Sequence, residues 1–139
     1  MRPRKRILLS SLVFAVILLT QSKIQANISA SYALQPPKTV AIGIASWYSK
    51  DSPGINIHTA NNEIFDDRGL TAAMWQVPFH QRVRVTNLNN GKSVSVRIND
   101  RGPHERYVQK GRIIDLSKRA FSDIASLDIG LIPIQLEFL

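Results

Sequence analysis

Strict alternation of apolar and polar positions recurs along this chain far more often than any helical spacing, which predicts a strand-rich domain. Val83 and Val85 alternate with Arg82, Arg84 and Thr86, as in a half-buried strand. Asn89-Asn90-Gly91-Lys92 comes next, and its Asn-Gly pair predicts a tight hairpin turn with positive φ angles. The return strand sets Val94, Val96 and Ile98 on one face and Ser93, Ser95, Arg97 and Asn99 on the other. Ile132–Phe138 repeats the alternation through Ile134, Leu136 and Phe138, and Val40–Tyr48 is an apolar run ending in Trp47-Tyr48. One helix is predicted, capped by Ser117 and carrying an apolar stripe of Ala120, Phe121, Ile124 and Ala125. Short strands, hairpin turns and a single helix within about 100 residues describe a mainly-β domain, a small closed barrel or a sandwich.

The first 39 residues break this pattern. Arg2, Arg4, Lys5 and Arg6 precede an uncharged apolar run over 7–20, the layout of a secretory signal and too short for a comfortable membrane span. Residues 1–26 are therefore expected to be a signal peptide, cleaved after Ala26 with Ala30 the alternative; an uncleaved anchor is the rival reading. Residues 27–39, with Pro36-Pro37, read as a linker, leaving 40–139 as the domain.

The export reading changes what the charge means. The whole chain carries +8, but residues 1–26 hold five of the basic residues and no acid, so the mature chain carries +3. Nucleic-acid binding, which needs a dense basic patch, loses its support, and no stable membrane anchor is expected after cleavage. With no cysteine, disulfides, thiol nucleophiles, Cys-based zinc sites and an N-terminal lipid attachment are all excluded. His58, His80 and His104 are scattered rather than paired, so neither a metal nor a cofactor is expected.

Asp100 is the first candidate for chemistry. It continues the row of Val94, Val96 and Ile98, so the pleat aims it at the interior where the strand ends. A carboxyl at the rim of an apolar face loses hydration, which favours its protonated form, while Arg101 works in the opposite direction. The competing reading makes Asp100 the opening residue of a turn, Asp100-Arg101-Gly102-Pro103. Glu63, in Thr59-Ala-Asn-Asn-Glu63, is either a second carboxylate at a scissile bond or an exposed loop charge. Asp66 and Asp67 look like turn residues before Gly69, and Asp115 is explained as well by helix entry as by function. Trp47, Tyr48, Trp75 and Tyr107 are sugar-stacking or core residues; of the adjacent pair, Tyr48 is expected outside because its hydroxyl prefers water. His58 and His80 read as surface residues, while His104 lies nearest Asp100 in the chain.

Six segments in order carry a resemblance. They are Gly43-Ile-Ala-Ser-Trp-Tyr48, Thr59-Ala-Asn-Asn-Glu63, Leu70-Thr-Ala-Ala73, Val83-Arg-Val-Thr-Asn-Leu-Asn-Asn-Gly91, Val96-Arg-Ile-Asn-Asp-Arg-Gly-Pro103 and Gly111-Arg-Ile-Ile-Asp-Leu-Ser117. Together they resemble the RlpA family (rare lipoprotein A, septal-ring peptidoglycan transglycosylases) over about residues 40–139. The resemblance implies a six-stranded double-psi β-barrel, a fold shared with expansins. It also implies lytic cleavage of the β-1,4 bond between N-acetylmuramic acid and N-acetylglucosamine, in which the muramyl 6-hydroxyl attacks its own anomeric carbon.

Carried over by position, the family's acid falls on Asp100 and its glutamate on Glu63, with Tyr48, Arg101, Trp75 and Asp115 as candidate substrate contacts. Where the family pattern reads Thr-Ala-Ala-His, this chain has Thr71-Ala72-Ala73-Met74, and a thioether neither shuttles protons nor donates hydrogen bonds. His58, His80 and His104 are then the histidines left to compensate. Peptidoglycan glycan strands are the expected partner, and division or wall-synthesis proteins a second class. A non-catalytic, expansin-like wall-binding module is the alternative function.

Overall fold

Alternating valines and isoleucines close the domain into a six-stranded barrel. In the computed structural model, residues 16–27 and 39–139 are described. The chain divides into two units, Met1–Pro37 and Lys38–Leu139. In the first, residues 16–27 are helical and exposed; most of the export-signal and linker assignments fall on residues 1–15 and 28–38, outside the described residues. Among the described residues no helix is long and apolar enough to cross a membrane.

The barrel strands are β1 (Val40–Tyr48), β2 (Thr71–Ala73), β3 (Arg82–Asn87), β4 (Ser93–Asp100), β5 (Arg112–Ser117) and β6 (Ile132–Phe138). Around the ring they run β1-β5-β2-β4-β3-β6. Two pairings, β1 with β5 and β2 with β4, are parallel, and the other four are antiparallel. A hairpin cannot join parallel partners, so long crossovers separate each such pair and intertwine the two halves of the chain.

Val94, Val96 and Ile98 point inward as the alternation predicts, meeting Val83, Val85 and Leu136 in one core. Helix α1 (Glu105–Val108) is short; α2 (Lys118–Ile124) packs on β1, β4 and β5. Ser117 caps α2, accepting from the Ala120 amide at 3.3 Å. Phe121 and Ile124 are both 0% exposed, and each such side chain contributes about 1.5–3 kcal/mol on burial.

Several sequence expectations are corrected. The β3–β4 connection is a four-residue loop closed by the Asn87 amide donating to the Lys92 carbonyl, not a two-residue turn. Only Gly91 has a positive φ in it, and the Asn87 side chain bonds the Ile124 carbonyl and the Asn89 amide instead. Tyr48 is not outside: it is 7% exposed and stacks on Phe65 at 4.5 Å. Trp47, on the opposite face, packs against the main core and donates to the Leu127 carbonyl at 3.1 Å. Strand β1 thus serves two apolar clusters, so neither aromatic is left to solvent. Asp115 belongs to β5 rather than to the helix entry, which Ser117 alone supplies. Asn99, assigned to the polar face, is buried, because a register shift between Ala72 and Ala73 lets two β4 residues oppose one in β2.

Candidate active site

Ala73, the last residue of β2, organises the site. It pairs with Asp100 of β4 on one side and Asp115 of β5 on the other. Three alanine and threonine side chains make β2 thin and fully buried, so both flanking carboxyls approach the same end of the barrel.

Asp100 Oδ1 accepts two backbone amides, from Arg101 at 2.8 Å and from Ala60 at 2.9 Å. The first is the local turn contact foreseen for an aspartate in this setting. The second ties β4 to a loop forty residues earlier in the chain. Asp100 with Arg101 lines a cleft of about 360 Å³ whose other wall includes Asn56, His58 and Ala60. A second hollow of about 250 Å³, lined by Lys50, Ile57 and Ile64, shares Ile55 and Asn56 with it. Pockets of this combined size hold small ligands or parts of polymers.

Arg101 is held in place rather than swinging free. Its guanidinium lies 3.7 Å from the Phe79 ring centroid and donates to the Met74 carbonyl at 3.2 Å. It therefore presents a fixed positive charge beside Asp100.

Behind the cleft, Asp115 is largely enclosed, with 19% of its side chain exposed. Ser46 Oγ, from the facing β1 position, donates to its Oδ1, and Arg112 stands 3.8 Å away. Burial pushes the Asp115 pKa up; the Ser46 hydrogen bond and Arg112 pull it down, and the nearby charge of Asp100 adds a further upward push. Gly102 permits this packing, since a Cβ there would stand 3.2 Å from Ala73 Cβ and 3.4 Å from Asp115 Oδ2. The Tyr48 hydroxyl is buried beside both acids, close enough to interact with the Asp100 side chain. Burial first, then the charges of Asp100 and Asp115 and the hydrogen bond to the Asp100 carboxyl, hold its pKa well above the ordinary phenol value, so the group stays neutral.

Glu63 has a different character. Both its oxygens are taken: Arg97 donates at 2.7 and 2.8 Å, Asn61 at 2.8 Å and Asn99 at 3.1 Å. The Arg97 hydrogen bonds lead in lowering its pKa to about 2. It is a permanent carboxylate, and it clasps the Thr59–Glu63 loop to β4. Within that loop Thr59 Oγ1 donates to Asn61 Oδ1 at 2.7 Å, which also receives the Glu63 amide at 3.2 Å. The clasp fixes the Ala60 amide on Asp100.

The sequence-derived candidates therefore separate by position. Asp100 and Arg101 face the cleft; Asp115 and Tyr48 form a buried layer next to Asp100; Glu63 braces the loop wall. Trp75 is 49% exposed and donates to the Pro103 carbonyl at 2.6 Å, outside the cleft lining. Sequence reasoning missed Ser46, Gly102 and the Arg97–Asn99 clasp. An Arg-Gly-Pro following the acid was the available signal for Gly102; Ser46 offered none beyond its place beside Trp47.

A protein-family model described as lytic transglycolase matches residues 40–136. The endolytic peptidoglycan transglycosylase RlpA of Campylobacter jejuni is 43% identical over 106 residues, covering 73% of this chain and 36% of that protein. The protein of the same name from Pseudomonas aeruginosa is 43% identical over 99 residues, covering 69% and 26%. The chain thus spans about a quarter to a third of the length of these relatives. Among solved structures, the Streptomyces papain inhibitor superposes with a TM-score of 0.56 at 23% identity, covering 76% of this chain and 99% of that one. An expansin of Clavibacter michiganensis gives 0.53 at 21%, covering 73% and 50%. These last two likenesses concern the fold, the double-psi β-barrel. With residues 40–136 matched, the chain belongs to the lytic transglycolase family.

Proposed function

We propose that this protein is an exported endolytic peptidoglycan transglycosylase of the cell envelope, cleaving the β-1,4 bond between N-acetylmuramic acid and N-acetylglucosamine. The observation that carries the reading is the Asp100 carboxyl on the lining of an open cleft beside Arg101, one of its oxygens pinned by two amides. A carboxyl so oriented is positioned to protonate the departing glycosidic oxygen, the task of a general acid. The muramyl 6-hydroxyl attacks the anomeric carbon as that bond breaks, so no water enters and a 1,6-anhydro end results. A hydrolase needs a second carboxylate placed for water or for covalent attack; Glu63, saturated by four hydrogen bonds, is unsuited to either. Its part is to brace the wall. Asp115 stands close enough to Asp100 to feel its charge, and in this reading it braces the barrel end behind Asp100.

The test is mass spectrometry of digested sacculi. Wild type is expected to release 1,6-anhydromuramyl products and Asp100→Asn to release none; identical traces from the two proteins overturn the assignment. The alternative, a non-catalytic wall-binding module, draws its support from Met74, whose side chain packs against the core where the family pattern has histidine. That reading predicts sacculus binding without soluble fragments and without sensitivity to Asp100→Asn.

A further inference from the structure

The cleft at Asp100 continues into the smaller hollow beside it, because Ile55 and Asn56 line both. The two differ in character. Around Asp100 the lining is largely polar, with Arg101 and Thr59. The hollow of about 250 Å³ is walled by Ile55, Ile57, Ile64 and Phe65, and Lys50 is the only charged residue on its lining among the described residues.

Ile57 and Ile64 are 75% and 72% exposed, whereas Ile98, Ile114, Ile124 and Ile134 are all 0% exposed. A single exposed apolar side chain needs no explanation, but several converging on one hollow mark a binding surface. The wall is also held in place. His58 forms a bridge with Ile64, and the Phe65 amide donates to the Ile57 carbonyl at 2.8 Å. The Phe65 ring is pinned by its stack on Tyr48, and the Glu63–Arg97 clasp ties the Thr59–Glu63 loop to β4. A wall formed in advance spares a ligand the cost of ordering it.

The substrate of the proposed reaction supplies a group that fits. A glycan strand with one sugar at Asp100 carries its neighbour along the cleft, and every sugar of N-acetylmuramic acid and N-acetylglucosamine bears an acetamido arm. Its methyl loses water among the isoleucines. Its amide remains at the border of the two hollows, where the Asn56 side chain both donates and accepts. An ammonium in place of the acetamido group would meet Lys50 and find no acid on the lining to pair with.

Building on the reading of the cleft as a peptidoglycan site, we propose that the hollow of Ile55, Ile57, Ile64 and Phe65 is a specificity subsite that takes the N-acetyl arm of the sugar next to the one at Asp100. The protein thereby selects N-acetylated glycan over N-deacetylated glycan.

The test uses the full chain and glycan strands that have been N-deacetylated and then re-acylated with either acetyl or formyl groups. Both polymers are neutral amides and differ only by the methyl. Binding to each polymer and release of 1,6-anhydro ends from each are measured side by side. Wild type is expected to prefer the N-acetyl polymer by about tenfold, the scale for one carbon in an apolar pocket. Ile57→Ser and Ile64→Ser are each expected to bring that preference toward equality with an unchanged thermal midpoint. Ile42→Ser, an equally exposed isoleucine on β1 outside both hollows, is expected to keep it. A wild type that treats the two polymers alike, or a full preference persisting in both hollow variants, overturns the proposal while anhydro release upholds the transglycosylase reading. An N-acetyl preference in binding that Ile57→Ser and Ile64→Ser abolish, without any anhydro release, upholds the subsite and overturns the transglycosylase reading.

Discussion

Asp100 and Asp115 flank a single residue, Ala73, from the two strands hydrogen-bonded to β2. One acid opens on the cleft while the other is enclosed by Ser46, Gly102 and Arg112. This arrangement places an accessible carboxyl in front of a buried one, and the stability of the barrel end is coupled to the charge it carries.

Asp115→Asn tests that coupling. The folded pKa of Asp115 lies above its unfolded value, so the unfolded chain loses this proton first as pH rises. The native state is therefore penalised above the unfolded carboxyl value of about 4, and the penalty is complete once pH passes the folded pKa. The variant should melt higher than wild type at neutral pH, the gap closing below about pH 4, while activity falls. Equal melting curves at neutral pH would contradict the electrostatic account of this residue.

Ser46→Ala removes a hydrogen bond that holds the Asp115 pKa down. Its titration, followed by the carboxyl carbon shift in NMR, should move to higher pH than in wild type. A shift in the other direction would mean that the Ser46 hydrogen bond does not favour the carboxylate.

The Glu63–Arg97 clasp gives the opposite pH signature. With a folded pKa of about 2, Glu63 stabilises the native state above the unfolded value and loses that contribution as pH falls through about 2. The carboxyl side chain is 36% exposed, so solvent screening limits the pair to about 1 kcal/mol. Glu63→Gln should cost about that much at neutral pH and nothing in strong acid, by chemical denaturation. Activity should fall as well, because the loop carrying Ala60 loosens from β4.

Gly102→Ala adds a methyl between Ala73 and Asp115. The contact at 3.2 Å with Ala73 Cβ requires the neighbours to give, at a cost of about 1–3 kcal/mol. The displaced residue is Asp115, so the variant should remain folded with reduced activity; wild-type turnover would show that this packing is not needed.

How much of this was legible in the sequence depends on the range of the forces involved. The valine and isoleucine rows of β3, β4 and β6 announced themselves because alternation is a local signal, and Ser117 was readable as a cap for the same reason. Strand β2 was not, since three residues, Thr71–Ala73, are too few for a period. The β5 assignment of Asp115 failed because Ile113, Ile114 and Leu116 form a nearly continuous apolar run before a real helix cap. Tyr48 was misplaced because its partner, Phe65, arrives from a distant loop, and stacking outweighed the preference of the hydroxyl for water. Asp100 and Glu63 were found as residues; that one faces a cleft and the other is a saturated clasp follows only from what β4 and the Thr59–Glu63 loop do to each other.

The most direct measurement is digestion of purified sacculi in ¹⁸O-labelled water, with the muramyl ends analysed by mass spectrometry. The account predicts products lighter by one water than hydrolytic ends and free of label, absent when Asp100 is replaced by asparagine. Labelled, full-mass reducing ends, or anhydro ends released equally by Asp100→Asn, would contradict it.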